Sequence, residues 1–281
     1  MNLHYVVDER DVQVKVDDYM EFSIGEEICL AHKFDDLTAG QEWYSKGYTI
    51  LQTEKYFHFY EVRKDIENVL KNIVSELSQE TNLDQFSLEN YHKYVDDKMH
   101  FDIIAKTRRL YPADFGFNVS DFLEKLSAFF NIPLCYKNSV RNLEQWIIVR
   151  LNRPNSIGFN PVHKDIYGMY DEFSSIPRMI NVWIPVCGVG NGTGLPVVPG
   201  SHLLTENSIL RSPSRSVMEN QKYSVNCIKS WNSDNKLTTL CPKEAEMIVF
   251  SSHLIHGLAQ NLNPDKTRVS LEFRLYEQTQ N

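Results

Sequence analysis

After Trp146 the chain breaks into short apolar runs bounded by turn formers: Trp146 to Leu151, Ile180 to Val186, Leu195 to Val198, Met247 to Phe250 and Val269 to Leu275. Runs of about four to eight residues of this kind read as strands. Short strands at turn-punctuated spacing predict a β sandwich or barrel. The first half of the chain has a different period. From Tyr60 to Ser78 the positions Val62, Ile66, Val69, Leu70, Ile73, Val74 and Leu77 repeat at the spacing of one helical face. Ser87 to Leu110 continues in the same style and closes before Pro112, and Ser120 is placed to cap a helix from Asp121 to Phe130 that Asn131-Ile132-Pro133 stops.

Two smaller elements precede these helices. Val12, Val14 and Val16 alternate with polar residues as in a half-exposed strand, and Trp43 to Leu51 reads as a helix end capped by Gly47 and followed by a strand. With no internal repeat and no linker, residues 1–281 read as one domain, a helix-rich layer over 1–145 packed on a β core over 146–281. Leu203 to Leu240 is polar and aperiodic, which predicts a mobile loop or lid within 203–240.

The overall charge narrows the function classes. A net charge of -8 with scattered Lys and Arg excludes a general nucleic-acid binder, because phosphate neutralisation needs a basic face. Five cysteines (Cys29, Cys135, Cys187, Cys227 and Cys241) form no CxxC pair and are odd in number, the pattern of free thiols in a reducing compartment. Residues 1–10 lack the apolar run of a signal peptide, and no window approaches the roughly 18 apolar residues of a membrane span. The expectation is a cytoplasmic protein acting on a small molecule, with no nucleic-acid or membrane partner. The Asn118-Val119-Ser120 sequon is then idle.

Chemistry enters at His163-Lys164-Asp165, where two metal-capable side chains one residue apart point the same way from an extended segment. Ser251-Ser252-His253-Leu254-Ile255-His256-Gly257 offers two candidates for a third ligand, His253 and His256. Two histidines and one carboxylate leave three octahedral positions open, the arrangement of non-haem Fe(II) oxygenases. Arg268 and Ser270 share a strand face, a planar cationic fork beside a hydroxyl, which suits the distal carboxylate of a dicarboxylate such as 2-oxoglutarate. Asn181 and Trp183 also share a face and are candidate substrate contacts, as is Tyr167 just beyond the metal motif.

Three segments together resemble the phytanoyl-CoA dioxygenase-like group of Fe(II)- and 2-oxoglutarate-dependent oxygenases: Arg150-Leu151-Asn152 through His163-Lys164-Asp165; Asn181-Val182-Trp183-Ile184-Pro185 into Leu195 to His202; and His256-Gly257 with Asn261 and Arg268. The resemblance is good from Trp146 to Leu275 and thin between Thr53 and Gln145. It implies a double-stranded β-helix, a cupin-like jelly roll, with His163, Asp165 and His256 as iron ligands and Arg268 as anchor for 2-oxoglutarate. It further implies cosubstrate contacts from Asn152 and Arg150, and hydroxylation of a small biosynthetic metabolite by O2 with release of succinate and CO2. His256 is preferred over His253 because Gly257 and the spaced arginine follow it. The gap from His256 to Arg268 is one residue longer than the group's pattern, which a bulge or a longer turn around Asn263-Pro264-Asp265 absorbs. A carboxylate at Asp165 argues against halogenation, which needs a small residue there.

Bland readings stand beside these. His202, His92 and His100 read as structural or surface histidines, and Arg274 as a salt-bridged surface residue. Gly188, Gly190, Gly192 and Gly194 read as a hairpin turn, since Thr193 breaks a phosphate-loop pattern. A non-catalytic jelly-roll protein that binds a metabolite or sugar is the alternative from another class. The same oxygenase core ending in desaturation, epimerisation or cyclisation is a third.

Overall fold

A computed structural model describes residues 1–25, 36–138, 143–145, 147–156, 160–170, 177–213, 217–218, 221–222 and 225–278. Cys29, Trp146 and parts of the 203–240 segment lie outside them. The strands that organise the fold are β1 (Asn2–Val7), β2 (Arg10–Lys15), β3 (Tyr48–Gln52), β4 (Ile148–Asn152), β5 (Met179–Cys187), β6 (Leu195–Val197), β7 (Ile209–Arg211), β8 (Ile228–Trp231), β9 (Lys236–Leu240), β10 (Glu246–Ser251) and β11 (Arg268–Glu277). The principal helices are α1 (Phe59–Leu77), α2 (Asp97–Thr107) and α3 (Val119–Phe130).

β3, β10, β5 and β11 form an antiparallel sheet in that order, and β4 pairs with the far edge of β11. Facing it is a smaller sheet in which β6 pairs with β9, and β9 with the N-terminal β1–β2 hairpin through a parallel contact at Val6 and Lys236. The bridges His163–His256 and Val197–His256 extend that sheet on its other side. From β4 onward the chain passes back and forth between the two facing sheets, through the His163 segment, β5, β6, β9, β10, the His256 segment and β11, which is a double-stranded β-helix.

Strand alternation distributes the side chains. On β11 Val269, Leu271, Phe273 and Leu275 point outward and pack with Ile66, Leu70, Val74 and Phe122 from α1 and α3. Ile180, Val182 and Ile184 of β5 and Met247 and Val249 of β10 join that layer. The opposite face turns Trp183, Ile248 and Phe250 toward Leu195, Val197 and Leu240 of the smaller sheet. With both faces covered, β5 is buried along its whole length, as its near-continuous apolar sequence requires.

Five expectations change. The helix foreseen from Ser87 starts only at Asp97, because Asn90 bonds Ser87 N–H and Gln85 C=O and holds 85–94 in turns; Asp96 then caps α2 through Met99 N–H. The cap of α3 is Asn118 rather than Ser120, accepting from Asp121 N–H. The described residues of the 203–240 segment include β7, β8 and β9, whose buried Ile209, Ile228, Trp231 and Leu237 are too widely spaced among polar residues to show a period. Residues 188–194 form no hairpin either, since β5 and β6 lie in different sheets and the segment crosses between them. Trp43 to Lys46 is a set of turns rather than a helix end. Gly47 closes it at φ +79°, where Trp43 C=O and Tyr44 C=O both accept from its N–H.

Phe122 ties the helical layer to the sheet, its ring 5.1 Å from that of Phe273. Phe122→Ala is expected to lower unfolding free energy by about 3–5 kcal/mol in urea titrations.

Candidate metal centre

His163 and His256 come from neighbouring extended segments of the smaller sheet. His163 N–H donates to His256 C=O at 2.9 Å and His256 N–H donates back to His163 C=O at 3.0 Å. This paired register puts both imidazoles on one side, their ring centroids 4.4 Å apart. Gly257 permits the approach: at φ +145° a Cβ there would stand 2.3 Å from Pro161 O. Asp165, two residues beyond His163, shares its face. Its Oδ1 is 3.5 Å from His163 Nε2 and its Oδ2 is 3.6 Å from His256 Nε2.

The three ligand atoms lie within 4.8 Å of one another, and all three residues are buried. Each imidazole is oriented by a carbonyl, His163 Nδ1 at 2.7 Å from Pro161 O and His256 Nδ1 at 2.9 Å from Leu254 O. With Nδ1–H donating, the Nε2 lone pairs face the cluster, as metal ligation needs. Burial pulls the His256 pKa down to about 4, so the ring is neutral at pH 7. Burial alone would raise Asp165, but Arg274, which donates to Oδ1 at 2.7 Å, and the two imidazoles hold its carboxyl well below the usual range. Two imidazoles and one carboxylate fit divalent iron.

The pocket beside this cluster has a volume of about 40 Å³ and is lined by Arg150, Asn181, Trp183, Phe250, Glu272 and Arg274, among others. Arg150 forms a two-pronged pair with Glu272, Nε to Oε1 at 2.6 Å and an Nη to Oε2 at 2.7 Å, while its other Nη donates to Asn160 Oδ1 at 2.9 Å. The side-chain amide of Asn181 and the indole N–H of Trp183 are buried in the pocket wall without a hydrogen-bond partner. Unpaired buried polar groups are costly and rare. Together with Arg150 they are polar groups of the pocket lining that could hold an oxyanion.

The remaining candidates fall in different places. Arg268 is wholly buried, and its guanidinium donates to Thr193 C=O at 2.5 Å, Asn152 Oδ1 at 2.8 Å and Gly194 C=O at 3.1 Å, 5.2 Å from the Trp183 ring. Burial lowers its pKa to about 10, so it stays cationic at neutral pH. Asn261 pins the preceding turn through Asn152 C=O and Lys266 C=O, and the β11–β5 register shifts between Val269 and Ser270, so the irregularity reaches into the strand. Ser270 lies 3.5 Å from Glu272 Oε1.

Tyr167 does not reach the pocket. Its hydroxyl donates to Glu206 Oε2 at 2.8 Å, in a buried cluster where Lys164 Nζ and Arg211 Nε also bond Glu206, at 2.8 and 3.1 Å. His253 and His202 are buried but stand outside the metal cluster. His202 packs edge-on to Tyr44, with ring centroids 4.9 Å apart. Arg274 is salt-bridged, but its partner is Asp165 and it lines the pocket rather than standing wholly on the surface. Glu272 was overlooked in the sequence, although it shares the parity of Arg268, Ser270 and Arg274 on one strand.

The family model for phytanoyl-CoA dioxygenase (PhyH) matches residues 44–270. The chain belongs to this family. Fe(II), 2-oxoglutarate and O2 are accordingly its cofactors, and the buried His163, Asp165 and His256 cluster is a group that could hold the metal ion. Among solved structures, EvdMO1 is similar at 14% identity and TM-score 0.48, over 86% of this chain; the chain spans half the length of that protein. AviO1 from Streptomyces viridochromogenes Tue57 matches at 14% identity and TM-score 0.48, over 88% of this chain and 97% of its own. EctD from S. alaskensis, in a structure with 2-oxoglutarate and 5-hydroxyectoine, matches at 11% identity and TM-score 0.48, over 94% and 86%. No curated protein matches significantly. No helix among the described residues is long and apolar enough to cross a membrane.

For this PhyH family member two outcomes follow. Asn181→Leu removes an unpaired buried amide, so it is expected to raise the unfolding midpoint by about 1 kcal/mol equivalent while weakening ligand binding at the metal. His256 and His100 both have pKa values drawn by burial to about 4. Between about pH 6.5 and pH 4 the unfolded chain binds protons that the folded chain refuses. Stability of the metal-free protein should therefore fall as pH drops through that window, read as a decreasing urea midpoint.

Proposed function

We propose that the protein is a 2-oxoglutarate-dependent hydroxylase of a small biosynthetic metabolite, releasing succinate and CO2. The observation that carries this reading is the buried His163, Asp165 and His256 cluster opening on a pocket whose Asn181 and Trp183 donors have no protein partner. His163, Asp165 and His256 hold the iron. Bound iron with 2-oxoglutarate supplies the activation of dioxygen. Asn152, Arg150, Arg268 and Ser270 form the polar wall for the cosubstrate, while Asn181 and Trp183 orient groups next to the metal. The carboxylate at Asp165 favours hydroxylation over halogenation by leaving no ligand position for a halide.

The organic substrate approaches from a second cavity of about 460 Å³ between α2 and the edge strand β4, walled by His100, Phe101, Arg108, Arg153 and Asn155. That volume lies in the range of about 300–1,000 Å³ usual for small-molecule sites. Arg150, Asn160 and Ala259 line both this cavity and the metal pocket. The small volume of the inner pocket favours a second reading, a protein that binds a metabolite in the outer cavity without turnover.

Mixing the protein anaerobically with Fe(II) and 2-oxoglutarate is expected to give the visible charge-transfer band of the chelate, and succinate should appear on exposure to oxygen. His163→Ala should abolish both. Metabolite binding with no band and no succinate would favour the non-catalytic reading.

A further inference from the structure

The arginines on the inner faces of β4 and β11 are not equally occupied. Arg268 is wrapped by three acceptors, and Arg150 holds Glu272 with two prongs and Asn160 with a third. Arg274 gives a single side-chain hydrogen bond among the described residues, to Asp165 Oδ1 at 2.7 Å. A guanidinium carries five N–H donors. With 27% of its side chain exposed, the rest of this fork opens on the pocket it lines. Directly across the strand pair stands Asn181, in register with Arg274 and on the same face. Asn181 is 3% exposed, lines the same pocket, and neither its amide nitrogen nor its amide oxygen has a partner. A spare cationic fork and an unpaired amide therefore meet beside the metal position.

The cosubstrate's anchor lies at the other end of the strand. Arg268 and Arg274 are six residues apart on β11 (274 minus 268), about 20 Å along an extended chain. A carboxylate held by Arg268 leaves the Arg274 end unfilled. Charge points the same way. The charged residues lining the pocket, Arg150, Asp165, Glu272 and Arg274, cancel one another. Divalent iron cancels the two carboxylates of 2-oxoglutarate, and the charge of Arg268, surrounded by neutral acceptors, is left over. A loaded site with one positive charge in excess favours an anion as its second organic ligand.

We propose that Arg274 and Asn181 together hold a carboxylate of the organic substrate, so that the molecule oxidised is a carboxylic acid. This rests on the oxygenase reading above, with Arg268 as the cosubstrate anchor. The fork supplies charge-assisted donors and the amide nitrogen another, the set that a planar carboxylate takes and a neutral amide of the same shape does not.

The test uses the full chain loaded anaerobically with Fe(II) and 2-oxoglutarate, whose charge-transfer band shifts when a second ligand seats beside the iron. The probes are hexanoate and benzoate, each beside its primary amide. The acids are expected to bind about tenfold tighter than the amides. Arg274→Gln should bring each acid down to the affinity of its amide while changing the dissociation constant of 2-oxoglutarate by less than about threefold. Asn181→Asp, which sets a carboxylate beside the fork and leaves Arg274 in place, should do the same, and it stands in if Arg274→Gln fails to fold or to load iron. Equal shifts for acid and amide, or no shift with either acid, overturn the proposal alone. So does an acid preference that both variants retain, as a carboxylate bound directly to iron would give. A loss of 2-oxoglutarate affinity as large as that of the acids also overturns it, because the pair would then serve the cosubstrate. No band in wild type or variants overturns the oxygenase reading and the proposal with it.

Discussion

Two reciprocal main-chain hydrogen bonds between His163 and His256 fix the centre of this molecule. The residues are 93 positions apart (256 minus 163), and only a folded sheet can bring them into register. Once that pair forms, the placement of the triad follows from strand geometry. Both imidazoles lie on one face, and Asp165 joins them because it is two residues beyond His163. A slip of one residue would turn a ligand away from the cluster. The crossover of strands between two sheets, the parallel seat of the β1–β2 hairpin on β9, and the helical layer behind β11 all support that one register.

The inner face of β11 shows how the fold accommodates charge. Arg268, Ser270, Glu272 and Arg274 point between the sheets, where an ordinary sandwich would place apolar groups. Each ion has an answer: Glu272 takes Arg150, Arg274 takes Asp165, and Arg268 is wrapped by two carbonyls and an amide oxygen. Charges fixed in this way need little reorganisation when a ligand arrives, which is the useful property of a preorganised site. Asn181 and Trp183 are the exceptions, and they stand beside the metal position.

The metal motif was legible because its three residues are chemically distinctive and its spacing resembles that of a known family. β4, β5, β6, β10 and β11 were legible too, β5 because both its faces are covered and its sequence is apolar apart from Asn181. What escaped notice has physical reasons. Tyr167 was read as a substrate contact, but a buried Glu206 thirty-nine residues on (206 minus 167) captures its hydroxyl, a long-range contact with no local signature. Arg274 was read as a salt-bridged surface residue; it is salt-bridged, but to Asp165 in the pocket, 109 positions away, a pairing with no local signature. The 203–240 segment hid its strands behind a polar composition, with single buried anchors such as Trp231.

The cluster of Lys164, Tyr167, Glu206 and Arg211 has a consequence for how this chain can vary through evolution. Lys164 sits between two metal ligands, yet its ammonium faces away from them into a fully buried carboxylate contributed by the polar segment. Replacing any one member strands the others, so neutral drift must pass through paired changes or not at all. A segment whose composition suggests freedom to diverge is thereby tethered to the residue between His163 and Asp165, and its history should be written in concert with theirs.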